Sequence, residues 1–354
     1  MKLLIITQKV DQNDSILGFF HRWIIEFSKH FEIVTVICLE KGAYDFPSNV
    51  KVLSLGKEEK VSKSQYINRF YSYIWSKRKD YDAVFVHMNP VYIVLGGFIW
   101  KLLGKNIYLW YVHVSVDIKL RISALFVDTI FTATKESIKL NNKRVKIIGH
   151  GIDTERYSTI IRPTRVSEDP IRIVHVGRIT RIKNCDIIIE AADVLKKTWN
   201  KKFEIIFIGS PVTVIDHEYK KILEDRIKQL GLSDIVHFIG SVPNKDIDKH
   251  YIQADASINL AQTGGVDKAV LESFASGVPA FFSNETFLSI CEPYGNIFHV
   301  VYKDSSMLAE KIKIYFAMNN TGLIETELRT RIIDQFSVSS LISRISLYIH
   351  DTSR

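Results

Sequence analysis

Cysteine is scarce in this chain, and its placement excludes two chemistries. Cys38, Cys185 and Cys291 are the only three among 354 residues. They lie too far apart for paired metal-ligand or redox spacing. Reduced, buried thiols in a cytosolic protein are the expectation. Long apolar runs are scarce too. After Met1-Lys2, only Leu3–Ile6 is apolar before the polar stretch Gln8–Asp14, so no secretory signal is expected. One stretch, Ala83–Trp100, holds no Lys, Arg, Asp or Glu and just reaches spanning length. His87, Asn89 and Pro90 interrupt it. Pro90 splits it into a strand, Ala83–Val86, and a helix from about Val91 to Leu103, so it reads as core.

Several nucleotide signatures are missing as well. A dinucleotide fold carries Gly-x-Gly-x-x-Gly after its first strand. Here that loop reads Gln8-Lys9-Val10-Asp11-Gln12-Asn13-Asp14 before Gly18. Nicotinamide and flavin chemistry are thereby disfavoured. There is also no Gly-x4-Gly-Lys-Ser/Thr phosphate loop and no His-Glu-x-x-His helix.

What is present belongs to an ordinary globular protein: 46% apolar, 24% charged and 11% aromatic residues. The length suggests two domains. The net charge of +8 sits entirely in the first half, because residues 171–354 hold 22 basic and 22 acidic residues. An excess of this kind fits a nucleic acid, an anionic membrane surface or a phosphorylated substrate, and equally an ordinary solvated face. Lys77-Arg78-Lys79 is the only tight basic run, which argues against nucleic acid.

Short apolar runs alternate with helical stripes, the pattern of an α/β protein with parallel sheets. In the first half strands are expected at Leu3–Thr7, Ile33–Cys38, Val50–Leu53, Ala83–Val86, Asn106–Val112, Thr129–Thr132 and Val145–Ile148. A polar stretch, Ile161–Pro170, reads as a linker. Strands then resume at Ile171–Val176, Phe203–Ile208, Ile235–Ile239, Ala256–Leu260, Pro279–Ser283 and Phe298–Val301. The last residues keep one apolar helical face: Val338, Leu341, Ile342, Ile345, Tyr348 and Ile349. Two doubly wound domains facing each other across a cleft is the natural architecture. In such sheets ligands bind beyond the carboxyl ends of the strands.

Two of those strand ends carry chemistry. Strand Ile171–Val176 runs into Gly177-Arg178-Ile179-Thr180-Arg181-Ile182-Lys183-Asn184. Arg178 offers a bidentate fork and Lys183 a mobile point charge, a combination suited to a diphosphate, although Arg and Lys commonly just solvate a loop. The second stretch runs from Thr263 to Pro279, Thr-Gly-Gly-Val-Asp-Lys-Ala-Val-Leu-Glu-Ser-Phe-Ala-Ser-Gly-Val-Pro. Gly264-Gly265 permits close approach of a ligand, and Asp267 reads as the N-cap of a helix with an apolar stripe. The unpaired N–H groups at such a helix start suit a phosphate, and Glu272 could accept from a polyol beside it. The same residues equally make a plain helix start with a glutamate favourable to its dipole.

The order Gly149-His150-Gly151-Ile152-Asp153, then Val176-Gly177-Arg178 with Lys183, then Gly264–Pro279, resembles the retaining glycosyltransferases of family 4, with the GT-B fold. The resemblance covers essentially the whole chain. It implies an N-terminal acceptor-side Rossmann-like domain over 1–163 and a C-terminal nucleotide-sugar-binding Rossmann-like domain over 164–336. A crossover helix over 337–354 would then return to the N-terminal domain. By position, Arg178 and Lys183 would contact the donor diphosphate, Glu272 the ribose, and N–H groups around Asp267, Lys268 and Ala269 a phosphate. Gly18, Gly177, Gly209, Ser210, Val242, Gly264, Gly265 and Val266 complete the implied donor site. His113 matches the histidine that meets the transferred sugar; taken alone it would be an ordinary strand-end histidine.

One departure stands out. The family usually has two glutamates eight positions apart, and Gly264 stands where the first belongs. The chain instead looks like a subgroup with Thr-Gly-Gly-x-Asp-Lys, in which Asp267 or the Gly264–Gly265 backbone would take over sugar contact. His150 is a smaller departure, since Asn is common there. The resemblance implies transfer of a sugar from a nucleoside diphosphate to an acceptor hydroxyl with retained configuration. Neither a metal nor any other cofactor is expected beyond that co-substrate. The implied setting is cell-surface polysaccharide, lipopolysaccharide or glycolipid synthesis. The expected partners are a nucleotide-sugar donor and a glycan or lipid-linked acceptor, with peripheral contact to an anionic inner membrane face and no nucleic acid. A silent GT-B binding protein, or a GT-B epimerase or phosphorylase, stays open beside this.

Overall fold

A computed structural model describes residues 1–162, 169–262 and 265–352. The chain forms two compact units: Met1–Asp153 with Pro243–Lys245 and Phe336–Arg354, and Thr154–Val242 with Asp246–Gln335. Most of the expected linker Ile161–Pro170 lies outside the described residues.

In the first unit the strands are β1 (Lys2–Val10), β2 (Ile33–Lys41), β3 (Val50–Ser54), β4 (Ala83–His87), β5 (Asn106–Trp110), β6 (Thr129–Thr132) and β7 (Val145–Ile147). They make one sheet in the order β3-β2-β1-β4-β5-β6-β7, with every pairing parallel. Parallel strands need crossover helices on both faces, so each strand must be apolar on both sides. The alternation along β1 shows it. Leu3 and Ile5 enter one core layer with Phe20, Trp23 and Phe27 of helix α1 (Phe19–Ser28). Leu4 and Ile6 enter the other, with residues of α2 (Lys63–Ser76), α3 (Val91–Leu102) and α4 (Ile118–Phe126). Burying each such large side chain contributes roughly 1.5–3 kcal/mol. The charge-free stretch Ala83–Trp100 is shared between β4 and α3, with Pro90 at the start of the helix. Among the described residues no helix is long and apolar enough to cross a membrane.

The second unit holds β8 (Ile171–Val176), β9 (Phe203–Ile208), β10 (Val236–Gly240), β11 (Ala256–Asn259) and β12 (Ala280–Phe282), again all parallel, in the order β10-β9-β8-β11-β12. Its helices are α5 (Thr154–Ser158), α6 (Cys185–Thr198), α7 (Val214–Gln229), α8 (Ile247–Gln253), α9 (Lys268–Ala275), α10 (Thr286–Ile290), α11 (Gly295–Phe298), α12 (Ser305–Tyr315) and α13 (Thr321–Gln335). One expected strand does not form. Phe298 ends α11, and the segment after it touches the sheet only through an isolated bridge between Phe282 and His299. The β-branched pair Val300-Val301 mimics a strand, but Val300 is buried beyond the sheet edge without a ladder of its own.

The last helix, α14 (Val338–Thr352), belongs to the first unit. Val338, Leu341, Ile342, Ile345 and Ile349 enter the core layer of α1. Polar bonds pin its end: the Asn106 amide donates to the Thr352 carbonyl at 2.9 Å, and the Thr129 hydroxyl to the Tyr348 hydroxyl at 3.1 Å. Cys38, Cys185 and Cys291 are all free and buried.

Strand order reverses between β8 and β11, the switch point of the second sheet. Only two residue pairs join these strands, Ile173 with Ala256 and Val174 with Ser257. Beyond them His175 carries the connection: its Nδ1 lies 3.0 Å from the Ile258 carbonyl, which fixes Nδ1 as the protonated nitrogen of a neutral ring. The imidazole is fully buried. Burial first, and then the charge of Lys183, lower its pKa to about 4. An unfolded chain takes up a proton below pH 6.5 where the folded one does not, so this site's stability is complete above 6.5 and is lost as pH falls toward 4. The difference amounts to roughly 3 kcal/mol across that window. His175→Asn keeps a donor for Ile258 but has nothing to protonate. Its unfolding free energy in urea, taken at intervals from pH 7 to 4, is expected to fall less steeply than that of the natural protein. Parallel pH curves would remove this role of His175.

Candidate functional site

The carboxyl ends of β8, β9 and β10 are brought together by glycine. Gly177 has φ +154° and its N–H donates to the Ile208 carbonyl at 3.0 Å. Gly209, at the end of β9, has φ +147°, and a Cβ there would stand 1.9 Å from the Gly177 carbonyl oxygen. No other residue fits. The Ser210 carbonyl then accepts from the Ile179 N–H at 3.2 Å, and Val242 lies half-buried in the loop after β10. The loop after β8 is thus fastened along its length, which holds the exposed Arg178 on a fixed backbone.

Three residues later a short 3-10 turn, Arg181–Lys183, ends in Asn184, whose φ of 50° is left-handed. The Asn184 amide is buried and donates to the Leu260 carbonyl at 2.7 Å. Asn readily accepts this conformation, and the side-chain bond rewards it. The turn aims Lys183 at Asp267, with which it forms an ion pair while the Lys183 side chain stays only 14% exposed. Asp267 caps α9, accepting the Ala269 N–H at 3.1 Å. Burial alone would raise the Asp267 carboxyl. The Lys183 ammonium, with hydrogen bonds from Lys183, Asn259 and the Ala269 N–H, overcomes this and holds it far below the usual carboxylate range.

The rest of α9 is set the same way. Asn284 is buried and donates to the Gly265 carbonyl at 2.7 Å, tethering the approach to the helix, and Val266 is buried beside it. Lys268 follows the cap; burial pulls its ammonium down to about 8 against the opposing charges of Glu272 and Asp267. Glu272 is buried one turn into the helix, and its charge acts on Arg156 and Tyr251 as well as Lys268. Thr263 and Gly264 lie outside the described residues.

The carboxyl ends of the second sheet's strands therefore carry Gly177, Arg178, Lys183, Gly209, Ser210, Gly265, Val266 and Asp267 on the loops after β8, β9 and β11, with Lys268 and Ala269 opening α9. Such a place, with Arg178, Lys183 and Lys268 beside a helix start, is suited to a phosphorylated ligand. Gly18 and His113 belong to the first unit. Gly18 precedes α1, where a Cβ would stand 2.4 Å from the Asp14 carbonyl. His113 is exposed beyond β5, and its Nδ1 accepts the Ser115 N–H at 3.1 Å, leaving Nε2 to carry the proton of the neutral ring. The first unit's switch point holds His87, stacked on Phe20 at 3.9 Å and buried as part of the core.

Sequence reasoning missed three supports of this site: His175, Asn184 as a cross-link, and Asn284. An asparagine directly before a helix was a usable signal for the second, since Asn tolerates left-handed backbone. It also missed that Lys183 and Asp267 are partners, because they stand 84 positions apart.

The family model for Glycosyl transferases group 1 matches residues 157–335. Among curated relatives, the putative colanic acid biosynthesis glycosyltransferase WcaL of Escherichia coli strain K12 is 23% identical over 197 residues, 53% of this chain and 46% of the relative. The amylovoran biosynthesis glycosyltransferase AmsK of Erwinia amylovora is 26% identical over 150 residues, 41% of this chain and 35% of the relative. The matched regions thus span less than half the length of either relative. A crystal structure of Anabaena Alr3699/HepE in complex with UDP and glucose superposes with a TM-score of 0.78, at 16% identity and 99% coverage of both chains. That likeness, with two parallel sheets and alternating helices, makes the fold the two-domain α/β arrangement of GT-B. With the family model spanning half of the sequence, and its glycine-fastened switch point inside the matched region, the chain belongs to the glycosyl transferases group 1 family.

Proposed function

We propose that this protein transfers a sugar from a nucleoside-diphosphate sugar to an acceptor hydroxyl, in the synthesis of a cell-surface polysaccharide, lipopolysaccharide or glycolipid. The observation that carries the reading is the convergence of Arg178, Lys183 and the start of α9 on the switch point of the second sheet. The relatives named for colanic acid and amylovoran biosynthesis support the polysaccharide setting. HepE, solved with UDP and glucose, supports a nucleotide-sugar donor.

In this reading Arg178 grips the diphosphate from an exposed position on a rigid loop. Lys183 meets it as a point charge, and Asp267 keeps the ammonium in place before the donor arrives. Cations fixed in this way stabilise charge that grows on the leaving diphosphate without reorganising during the reaction. Glu272 accepts from the ribose hydroxyls, as the family resemblance implies. Configuration is retained, the leaving phosphate taking the acceptor proton on the same face. The leaving charge is met by side chains and N–H groups, so the chemistry proceeds without a metal. The acceptor is lipid-linked or polymeric and is reached at an anionic inner membrane face.

Arg178→Ala and Lys183→Ala are each expected to lower turnover by roughly a hundredfold, the cost of one charge-stabilising donor. Donor consumption followed by nucleoside-diphosphate release measures it, after a thermal-shift screen over nucleotide sugars has found the donor. Near-normal rates in both variants would overturn the phosphate assignment, and absence of any donor hydrolysis or transfer would favour a silent sugar-nucleotide-binding protein. Asp267→Asn separates two roles. If Asp267 only positions Lys183 and caps α9, the variant loses thermal stability and its donor KM rises, while turnover at saturating donor changes less than tenfold. A collapse of turnover with donor affinity intact would instead place Asp267 on the sugar.

A further inference from the structure

Helices α3 and α4 of the first unit pack side by side unusually closely. Gly97 makes this possible: a Cβ there would stand 2.8 Å from the Phe126 ring. The Ser123 hydroxyl of α4 donates to the Pro90 carbonyl at the start of α3, at 2.9 Å. The inner faces, with Ile93, Trp100, Leu120 and Ala124, enter the core. The outer faces do not resemble ordinary solvated helices. Phe98 is 68% exposed, Leu102 72%, Ile118 71% and Leu125 73%. Phe98 and Leu102 stand four apart on α3, while Ile118 and Leu125 stand seven apart on α4, so each pair shares one side of its helix. Clustered exposed apolar side chains on neighbouring helices mark a surface that meets something apolar.

The charges around this face select the partner. Residues 91–127 contain Lys101, Lys105, Lys119 and Arg121 but a single acid, Asp117. Asp117 is occupied as the cap of α4, accepting the Leu120 N–H at 2.8 Å. Lys101 pairs with Asp128 at 2.6 Å and the half-buried Lys105 donates to the Tyr81 carbonyl at 2.6 Å, which leaves Lys119 and Arg121 as exposed cations flanking Ile118 and Leu125. A second copy pressed onto this face would bring like charges together. An anionic leaflet instead attracts each nearby Lys or Arg by about 1 kcal/mol while its acyl boundary takes up the apolar side chains.

We propose that the outer face of α3 and α4 docks on an anionic lipid bilayer, with Phe98, Leu102, Ile118 and Leu125 entering the headgroup boundary and Lys119 and Arg121 meeting lipid phosphates. The inference rests on the proposed membrane-side acceptor for its setting, and it identifies the surface that reaches it. Binding is measured without any sugar donor, so its failure is distinct from failure of the transferase reading.

The test is co-sedimentation with vesicles of mixed phosphatidylglycerol and phosphatidylcholine, against vesicles of phosphatidylcholine alone. The natural protein is expected to bind the anionic vesicles and to be released by high salt. Phe98→Ser/Leu102→Ser/Leu125→Ser is expected to weaken that binding by at least about tenfold, since three apolar side chains leave the boundary. Lys119→Glu/Arg121→Glu, which leaves the apolar face intact, is expected to abolish the preference for anionic lipid. Circular dichroism melting checks that both variants fold. No binding to either vesicle, or equal binding by the natural protein and both folded variants, overturns the proposal. A dimer of the natural protein that the triple serine variant converts to monomer also overturns it, because a second copy would then cover the face.

Discussion

The second sheet has to open between β8 and β11, and the transferase reading of this protein depends on how that opening is held. Parallel strands that carry crossover helices on opposite faces diverge at a switch point, and the divergence makes a crevice where backbone bonding stops. Here the ladder stops after two residue pairs. Three side-chain links then replace it: His175 to the Ile258 carbonyl, Asn184 to the Leu260 carbonyl, and Lys183 to Asp267. Each joins β8 or the loop after it to β11 or the loop after that. They hold the crevice at one width, so a ligand entering it meets cations already in place.

The glycines do the complementary work on the other side of β8. Gly177 and Gly209 let the ends of β8 and β9 approach until a Cβ cannot be fitted, and the Ser210 carbonyl extends that contact to Ile179. The glycine-rich strand ends were legible in the sequence as loops suited to a ligand. Their reason was not, because it lies in the approach of two backbones more than thirty residues apart in the chain. The fold itself was legible for a simpler reason. Strands buried on both faces read as continuous apolar runs, and twelve of the thirteen expected runs became strands. The exception, Phe298–Val301, shows the limit: a short β-branched run satisfies a strand pattern and a buried connection alike, and only neighbours with free edges decide.

The same limit governs the candidate site. Arg178 and Lys183 could be read as cations near a helix start, since that information is local. Their difference could not be read. Arg178 is exposed on a fastened loop, whereas Lys183 is nearly enclosed and bound to a carboxylate that arrives from another loop. His175 was invisible for the opposite reason. A histidine inside an apolar strand carries no local signal until its neighbour on the sheet runs out of partners.

The Lys183–Asp267 pair has a physical logic of its own. A lysine this deeply enclosed pays a desolvation penalty unless an anion stays beside it. Asp267 supplies that anion, and capping α9 through the Ala269 N–H fixes its position. For the proposed donor this pairing has a cost in affinity, because Asp267 would compete with phosphate for the Lys183 ammonium. It has a return in geometry, because a lysine that would otherwise sample many rotamers is held in one place.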